Sequence, residues 1–382
     1  MLGWTLGSPM TVVLRIAPHV AALFLVVTGC STPSTTGADG GASTREDAPG
    51  PAPLLDFDGG FGPRPDVTFA YPLDEVLRMD DVQLEGTHNS YHLAPNGVEP
   101  GSDYDYSMAP IDVQLESQGV RELELDLHWA AERGAYRVYH EVGDAHTTCE
   151  LFVECLAEVR RWSDAHPGHQ PIYIQVEPKD WFGFFPAELV DERLARIDAE
   201  IRMVFPDGLV VTPDEVQGDA GTVAAALRDR GWPTLGAARG RVLFHLLCGE
   251  FCAAYAHGDT SLAGREMFPM TSRSSPFASV LLIDDAQAHA ADIAAAIDAG
   301  LIVRSRSDLT VTAALADDHS ALQAALDAGA HLISTNFPAP VPETSFYVAM
   351  PGGTPSRCNP VTAPPDCTPE AIESPERLAS PP

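Results

Sequence analysis

Four short segments hold the residues that could do chemistry. They are Gly86-Thr-His88-Asn89-Ser-Tyr-His92, Arg121-Glu-Leu-Glu124-Leu-Asp126-Leu-His128, Val138-Tyr-His140-Glu141 and Ile172-Tyr-Ile-Gln-Val-Glu177-Pro-Lys179. The second is the most informative. Side chains alternate across a strand, so Leu123, Leu125 and Leu127 share one face, and Glu122, Glu124, Asp126 and His128 share the other. Several carboxylates converging on one side repel each other and are poorly solvated unless a cation offsets them. The side-chain oxygens of Asn89, Glu124, Asp126 and Glu177 are hard ligands, with no thiolate among them, which suits Ca2+ or Mg2+. His88 and His140 titrate near neutrality. A cation between carboxylates with two imidazoles beside it suits phosphoryl transfer, one imidazole removing a proton and the other supplying one.

A lone histidine is usually a satisfied structural residue, and a lone glutamate a surface one. Here four polar clusters close four successive apolar runs. The elements that must position them read as strands near Val82–Gly86, Arg121–Leu127, Tyr136–Tyr139, Ile172–Glu177, Val242–Leu247, Ser279–Ile283, Leu301–Arg304 and His331–Ser334. Helical patterns lie between several of them. Leu151, Phe152, Cys155, Leu156, Val159 and Trp162 form one apolar face, and the Ala-rich stretches Ala290–Ala299 and His319–Ala328 each end at a glycine suited to a helix cap. Strands alternating with helices predict a parallel sheet, and eight of them predict closure into a (β/α)8 TIM-type barrel. Barrels of this kind carry their active sites at the C-terminal ends of the strands, where the four clusters fall. An open doubly wound sheet is the alternative; no glycine-rich nucleotide loop supports it.

The ends read differently. Thr11 to Gly29 is largely apolar with Arg15 as its one charge, and it closes with Leu25-Val-Val-Thr-Gly-Cys30. That pattern predicts a lipoprotein signal over 1–29, with Cys30 as the lipidated residue of an exported chain facing outward from the cell membrane, or secreted. Residues 30–65 read as a flexible tether rich in small and polar residues, and 351–382 as a Pro-rich tail that wraps or dangles. The body, 66–350, is about the size of one barrel. Beyond Cys30 the six cysteines fall into three close pairs, Cys149/Cys155, Cys248/Cys252 and Cys358/Cys367. Local disulfides are expected for an exported protein, with zinc the rival for the first two. The chain has 23 basic and 54 acidic residues, a formal net charge of −31. That argues against nucleic acid as a partner. The chain is expected to be a monomer.

Taken in order, these segments resemble the catalytic half of the phosphatidylinositol-specific phospholipase C family, and its calcium-dependent members best. The resemblance is close from Val82 to Lys179 and follows only order and spacing beyond. It implies a phosphodiesterase barrel acting on a phospholipid. Asn89, Glu124, Asp126 and Glu177 would hold Ca2+, preferred over Mg2+ on the family's account alone. His88 would serve as base or phosphate stabiliser, and His140 as acid for the leaving alkoxide. The inositol 2-hydroxyl would attack phosphorus to give diacylglycerol and a cyclic inositol phosphate. Lys179, Arg304 and Arg306 are candidate phosphate ligands, though for the arginines an ordinary ion pair is an equal reading. Two rivals remain. A glycerophosphodiester phosphodiesterase uses a related barrel, but that family opens with His-Arg-Gly where Thr87-His88-Asn89-Ser90 stands here. A non-catalytic surface lipoprotein that binds inositol phosphates or calcium would not need the full residue set.

Overall fold

The computed structural model describes residues 55–64, 71–179, 187–353 and 355–378. Cys30, the signal over 1–29 and most of the tether lie outside the described residues.

Ten strands form one sheet: β1 Val82–Thr87, β2 Glu122–Ala130, β3 Ala135–Val138, β4 Ile172–Pro178, β5 Val242–Leu246, β6 Met267–Pro269, β7 Val280–Leu282, β8 Ile302–Arg306, β9 Leu332–Thr335 and β10 Ser356–Cys358. Eight of them make the barrel in the order β6-β5-β4-β2-β1-β9-β8-β7, every neighbouring pair parallel. The path has two ends, β6 and β7. The expected TIM-type barrel is therefore present, with its staves hydrogen-bonded everywhere except across that seam.

Two staves differ from expectation. Tyr136–Tyr139 is no barrel strand; β3 pairs antiparallel with β2, Leu127 opposite Val138 and Ala130 opposite Ala135. Residues 131–134 form a tight turn, with Gly134 at φ +61°. So short a link cannot make the crossover that a parallel neighbour requires. The eighth stave is instead β6, three residues without a β-branched side chain.

The alternation in β2 is as expected. Leu123, Leu125 and Leu127 are fully buried in the apolar core outside the sheet. The same core takes in the apolar face of α1, Phe152–Ala165, at whose start Glu154 accepts from the Leu151 amide at 3.0 Å. The Cys149–Cys155 disulfide ties that first turn down, and Cys248–Cys252 and Cys358–Cys367 form the other two expected local pairs.

Both flanking segments hold to the barrel more closely than a tether or tail. Phe61 lies under the Arg160 guanidinium, 5.2 Å from its ring centroid, and Arg64 donates to Ser163 Oγ at 3.2 Å. The expected tether thus already packs by residues 55–64, because Leu55, Phe57 and Phe61 supply apolar anchors. Beyond Pro351, β10 runs antiparallel to β1, pairing Cys358 with Val82. Glu373, fully buried, accepts from Arg121 Nε at 3.1 Å and from the Gln170 amide at 3.0 Å. Among the described residues no helix is long and apolar enough to cross a membrane.

Candidate active site

The barrel interior is lined by the polar face of β2. Register places Glu124 beside Gln175 and Asp126 beside Glu177 on β4, so the inward residues of two neighbouring strands face each other. Carboxylate oxygens of Glu124, Asp126 and Glu177 all lie within 4.8 Å of one another. Gly86 makes room for this arrangement, since a Cβ there would sit 1.9 Å from Glu122 Oε2.

The loop after β1 is pinned to the same strand. Ser90 N donates to the Glu124 carbonyl at 3.0 Å, and the Glu124 amide donates to Ser90 Oγ at 2.8 Å. Asn89 between them adopts φ +46°, a left-handed conformation that asparagine tolerates better than most residues. Its Nδ2 donates to the Tyr106 hydroxyl at 3.0 Å, and its Oδ1 accepts from Tyr91, 3.3 Å away. Tyr91 also interacts with Asp126, so Asn89 is tied to the acidic cluster through that hydroxyl.

Two cations are already paired with these carboxylates. Lys179 Nζ lies 3.1 Å from Asp126 Oδ2 and 2.8 Å from Glu177 Oε1. Arg304 donates to Glu124 Oε2 and to Ser334 Oγ, and also faces Glu122 at 3.6 Å and Asp284 at 3.3 Å. Of the two readings given for Arg304, the structure shows the ion pair. Arg304 is buried at the barrel floor with its guanidinium engaged by protein groups, so it sets the charge of Glu124 rather than reaching phosphate. Arg306, one stave-turn nearer the mouth, has only a long contact to Asp308 at 3.6 Å and is partly exposed.

The electrostatics follow from burial and these pairs. Burial, the largest single influence, would raise Glu124, but Arg304 together with His88, Arg306 and Lys179 outweighs it and holds the carboxyl down at about 2. Burial, then the neighbouring Glu177, push Asp126 well above the usual carboxylate range, and burial with Glu124 raises Glu177. Burial pushes Glu122 up to about 8 despite Arg304. Two raised carboxyls beside an ionised one are what a divalent cation would relieve. The donor set is all oxygen, buried and convergent, and it fits Ca2+.

The two histidines are held from behind. His88 faces Asn336 Oδ1 through Nδ1 at 2.9 Å, which makes Nδ1 the protonated nitrogen and leaves the Nε2 lone pair free. Asn336 is fixed in turn by Asp308, whose carboxylate accepts from its amide at 3.2 Å. Burial, with Arg306 adding to it, lowers the His88 pKa well below its ordinary value, so the ring is neutral at pH 7. His140 leaves the end of β3 and meets Asp144 Oδ2 through Nδ1 at 2.9 Å. A turn in which Glu141 and Asp144 bridge, with Gly143 at φ +105°, folds Asp144 back beneath the ring.

The structure therefore gathers Glu124, Asp126, Glu177 and Lys179 at one place and sets Asn89 against them through Tyr91. Sequence reasoning missed Asn336, Tyr106, Asp308 and Asp144. The end of β9, Ser334-Thr-Asn336, carried the same strand-end signal as the four segments. Asp144, four residues after His140, was also within reach. Tyr106 sits in a loop with no such mark.

A barrel with an acidic oxygen cluster at the C-terminal ends of its strands, and two imidazoles each held by a polar side chain, fits a metal-assisted phosphodiesterase. A sequence profile of the Ca2+-dependent phosphoinositide phospholipase C family matches residues 77–143 and 137–360, most of the chain, and the protein belongs to that family. It is a phosphoric diester hydrolase of the phospholipase C type. The fold is similar to a Ca2+-dependent phosphatidylinositol-specific phospholipase C from Streptomyces antibioticus, with 23% identity and TM-score 0.51 over 69% of this chain and 96% of that one. It is also similar to a calcium-dependent phosphoinositol-specific phospholipase C from a Gram-negative Pseudomonas sp., crystallised with myoinositol. There the identity is 22% and the TM-score 0.54, over 77% of this chain and 100% of that one. None of the curated proteins compared matches the sequence.

Proposed function

We propose that this protein cleaves phosphatidylinositol to diacylglycerol and a cyclic inositol phosphate, with His88 and His140 as the acid–base pair. The observation that carries the reading is the opposite preparation of the two rings. His88 is a neutral imidazole with its Nδ1 proton on Asn336, so Nε2 can take the proton of the attacking inositol hydroxyl. His140 has its Nδ1 on the Asp144 carboxylate, which fixes the ring so that Nε2 faces outward to supply a proton to the leaving glycerol oxygen. A Ca2+ held by Asn89, Glu124, Asp126 and Glu177 would neutralise charge on a phosphate oxygen. Arg306 and Lys179 supply positive charge at the mouth for the same phosphate. Export and lipidation of Cys30 remain part of the proposal; an anchored enzyme of net charge −31 would not depend on attraction to an anionic membrane.

Phosphorus NMR of the reaction with phosphatidylinositol and, separately, with deacylated glycerophosphoinositol tests this. The cyclic phosphodiester resonance should appear first and from the acylated substrate preferentially. Preference for the deacylated substrate would transfer the protein to glycerophosphodiester chemistry.

A further inference from the structure

Behind His140 stands a second histidine that the reaction as described does not use. His92 is fully buried. Its Nε2 lies 3.1 and 3.0 Å from the two oxygens of Asp144, and its Nδ1 lies 3.0 Å from the Tyr106 carbonyl. Both partners are acceptors; burial favours the neutral ring, which has one N–H, and the Nε2–H tautomer donates it to Asp144. The ring is stacked on Tyr106, centroids 4.3 Å apart, and its amide donates to the Asn89 carbonyl at 2.8 Å. It has no freedom to turn.

Asp144 is itself nearly buried, 3% exposed. Among the described residues, the side chains that donate to it are His92 and His140. A buried carboxylate with a single partner is costly and relaxes by turning to water or taking a proton. Either change would release the Nδ1 contact that orients His140, which is only partly buried and sits on a turn. The same Tyr106 whose carbonyl fixes His92 places its hydroxyl 3.5 Å from His88 Nδ1, so one segment braces both imidazoles.

We infer that His92 is a positioning residue of the reaction: acting through Asp144, it holds His140 in the orientation from which the leaving alkoxide is protonated. The inference rests on the reading of His140 as the general acid. It predicts a defect that depends on the leaving group. A glycerol alkoxide needs the acid; a nitrophenolate leaves without one. The test compares phosphatidylinositol with an inositol phosphodiester of 4-nitrophenol in three variants. His140→Ala should lose roughly 10²- to 10⁴-fold on phosphatidylinositol and far less on the aryl ester. His92→Phe keeps a ring on Tyr106 but removes the donor to Asp144. It should lose about 10- to 100-fold in kcat on phosphatidylinositol, with KM little changed and no more than about threefold lost on the aryl ester. His92→Gln, which retains one N–H, should recover part of that loss.

The outcomes separate the two ideas. If His140→Ala loses equally on both substrates, the reading of His140 as the acid fails. If His140→Ala behaves as expected but His92→Phe loses equally on both substrates, or on neither, the role of His92 is refuted. Should the Phe variant fail to fold, the Gln variant decides. A loss of about threefold or more confined to phosphatidylinositol supports the inference, and an equal loss or none overturns it.

Discussion

Replacing Arg304 by Met should destabilise the protein by roughly 3–5 kcal/mol at neutral pH, the loss expected when one partner of a buried ion pair is removed. The site's own charges point in the same direction. Glu122, pushed up to about 8, is largely neutral at pH 7, so the ionised partner of Arg304 in the floor is Glu124. Glu124 is held at about 2 against an ordinary value of 4.5, with Arg304 the largest of the attractions that oppose its burial. A carboxyl whose folded pKa is lowered stabilises the fold above its unfolded value, and the contribution is lost as pH falls toward the folded one. Wild type should therefore draw on this pair above pH 4.5 and lose it only on approach to pH 2. Without the guanidinium, burial is less opposed and raises Glu124 relative to wild type, so the variant gains on wild type as acid protonates it. The assay is a pair of thermal melts in chelator at neutral and acid pH. A gap of roughly 6–20 °C at pH 7 that narrows in acid is expected, taking about 2–4 °C per kcal/mol. A gap of only a degree or two, or one that ignores pH, would refute the account of the barrel floor.

Three further outcomes follow from the same geometry. Glu124→Gln or Asp126→Asn should raise the Ca2+ concentration needed for half-maximal activity by about tenfold or more, read in a calcium titration. Lys179→Met removes the ammonium shared by Asp126 and Glu177, so calcium should bind more tightly and raise the melting temperature further than in wild type; an unchanged calcium-induced shift would contradict the pairing. Gly86→Ala sets a Cβ into the Glu122 carboxylate and should lower stability by roughly 1–3 kcal/mol in a denaturant titration.

Much of the site was legible because a strand's two-residue period is strict. In β2 that period alone separated the leucines from Glu122, Glu124 and Asp126, and it did the same for Gln175 and Glu177 in β4. What failed was pairing. Tyr136–Tyr139 has the composition of a stave, and only the four-residue link before it shows that it must turn back on β2. The brevity of β6 hid it. The ends of the chain were read from composition, which missed that Phe61 and Glu373 have specific partners on the barrel. For Arg304 the sequence leaves a substrate ligand and an ion pair open, because its place on β8 is visible but Glu122 and Glu124 across the barrel are not. The brace of Asn336 on His88 likewise joins β9 to β1 across the length of the chain.

The most direct test of the central claim is cleavage of phosphatidylinositol by the protein with Ca2+, with excess chelator, and beside the His88→Ala variant. The account predicts turnover that disappears with chelator, returns on adding Ca2+, and falls by roughly 10²-fold or more in the variant. Undiminished turnover in chelator, or in the His88→Ala protein, would contradict it.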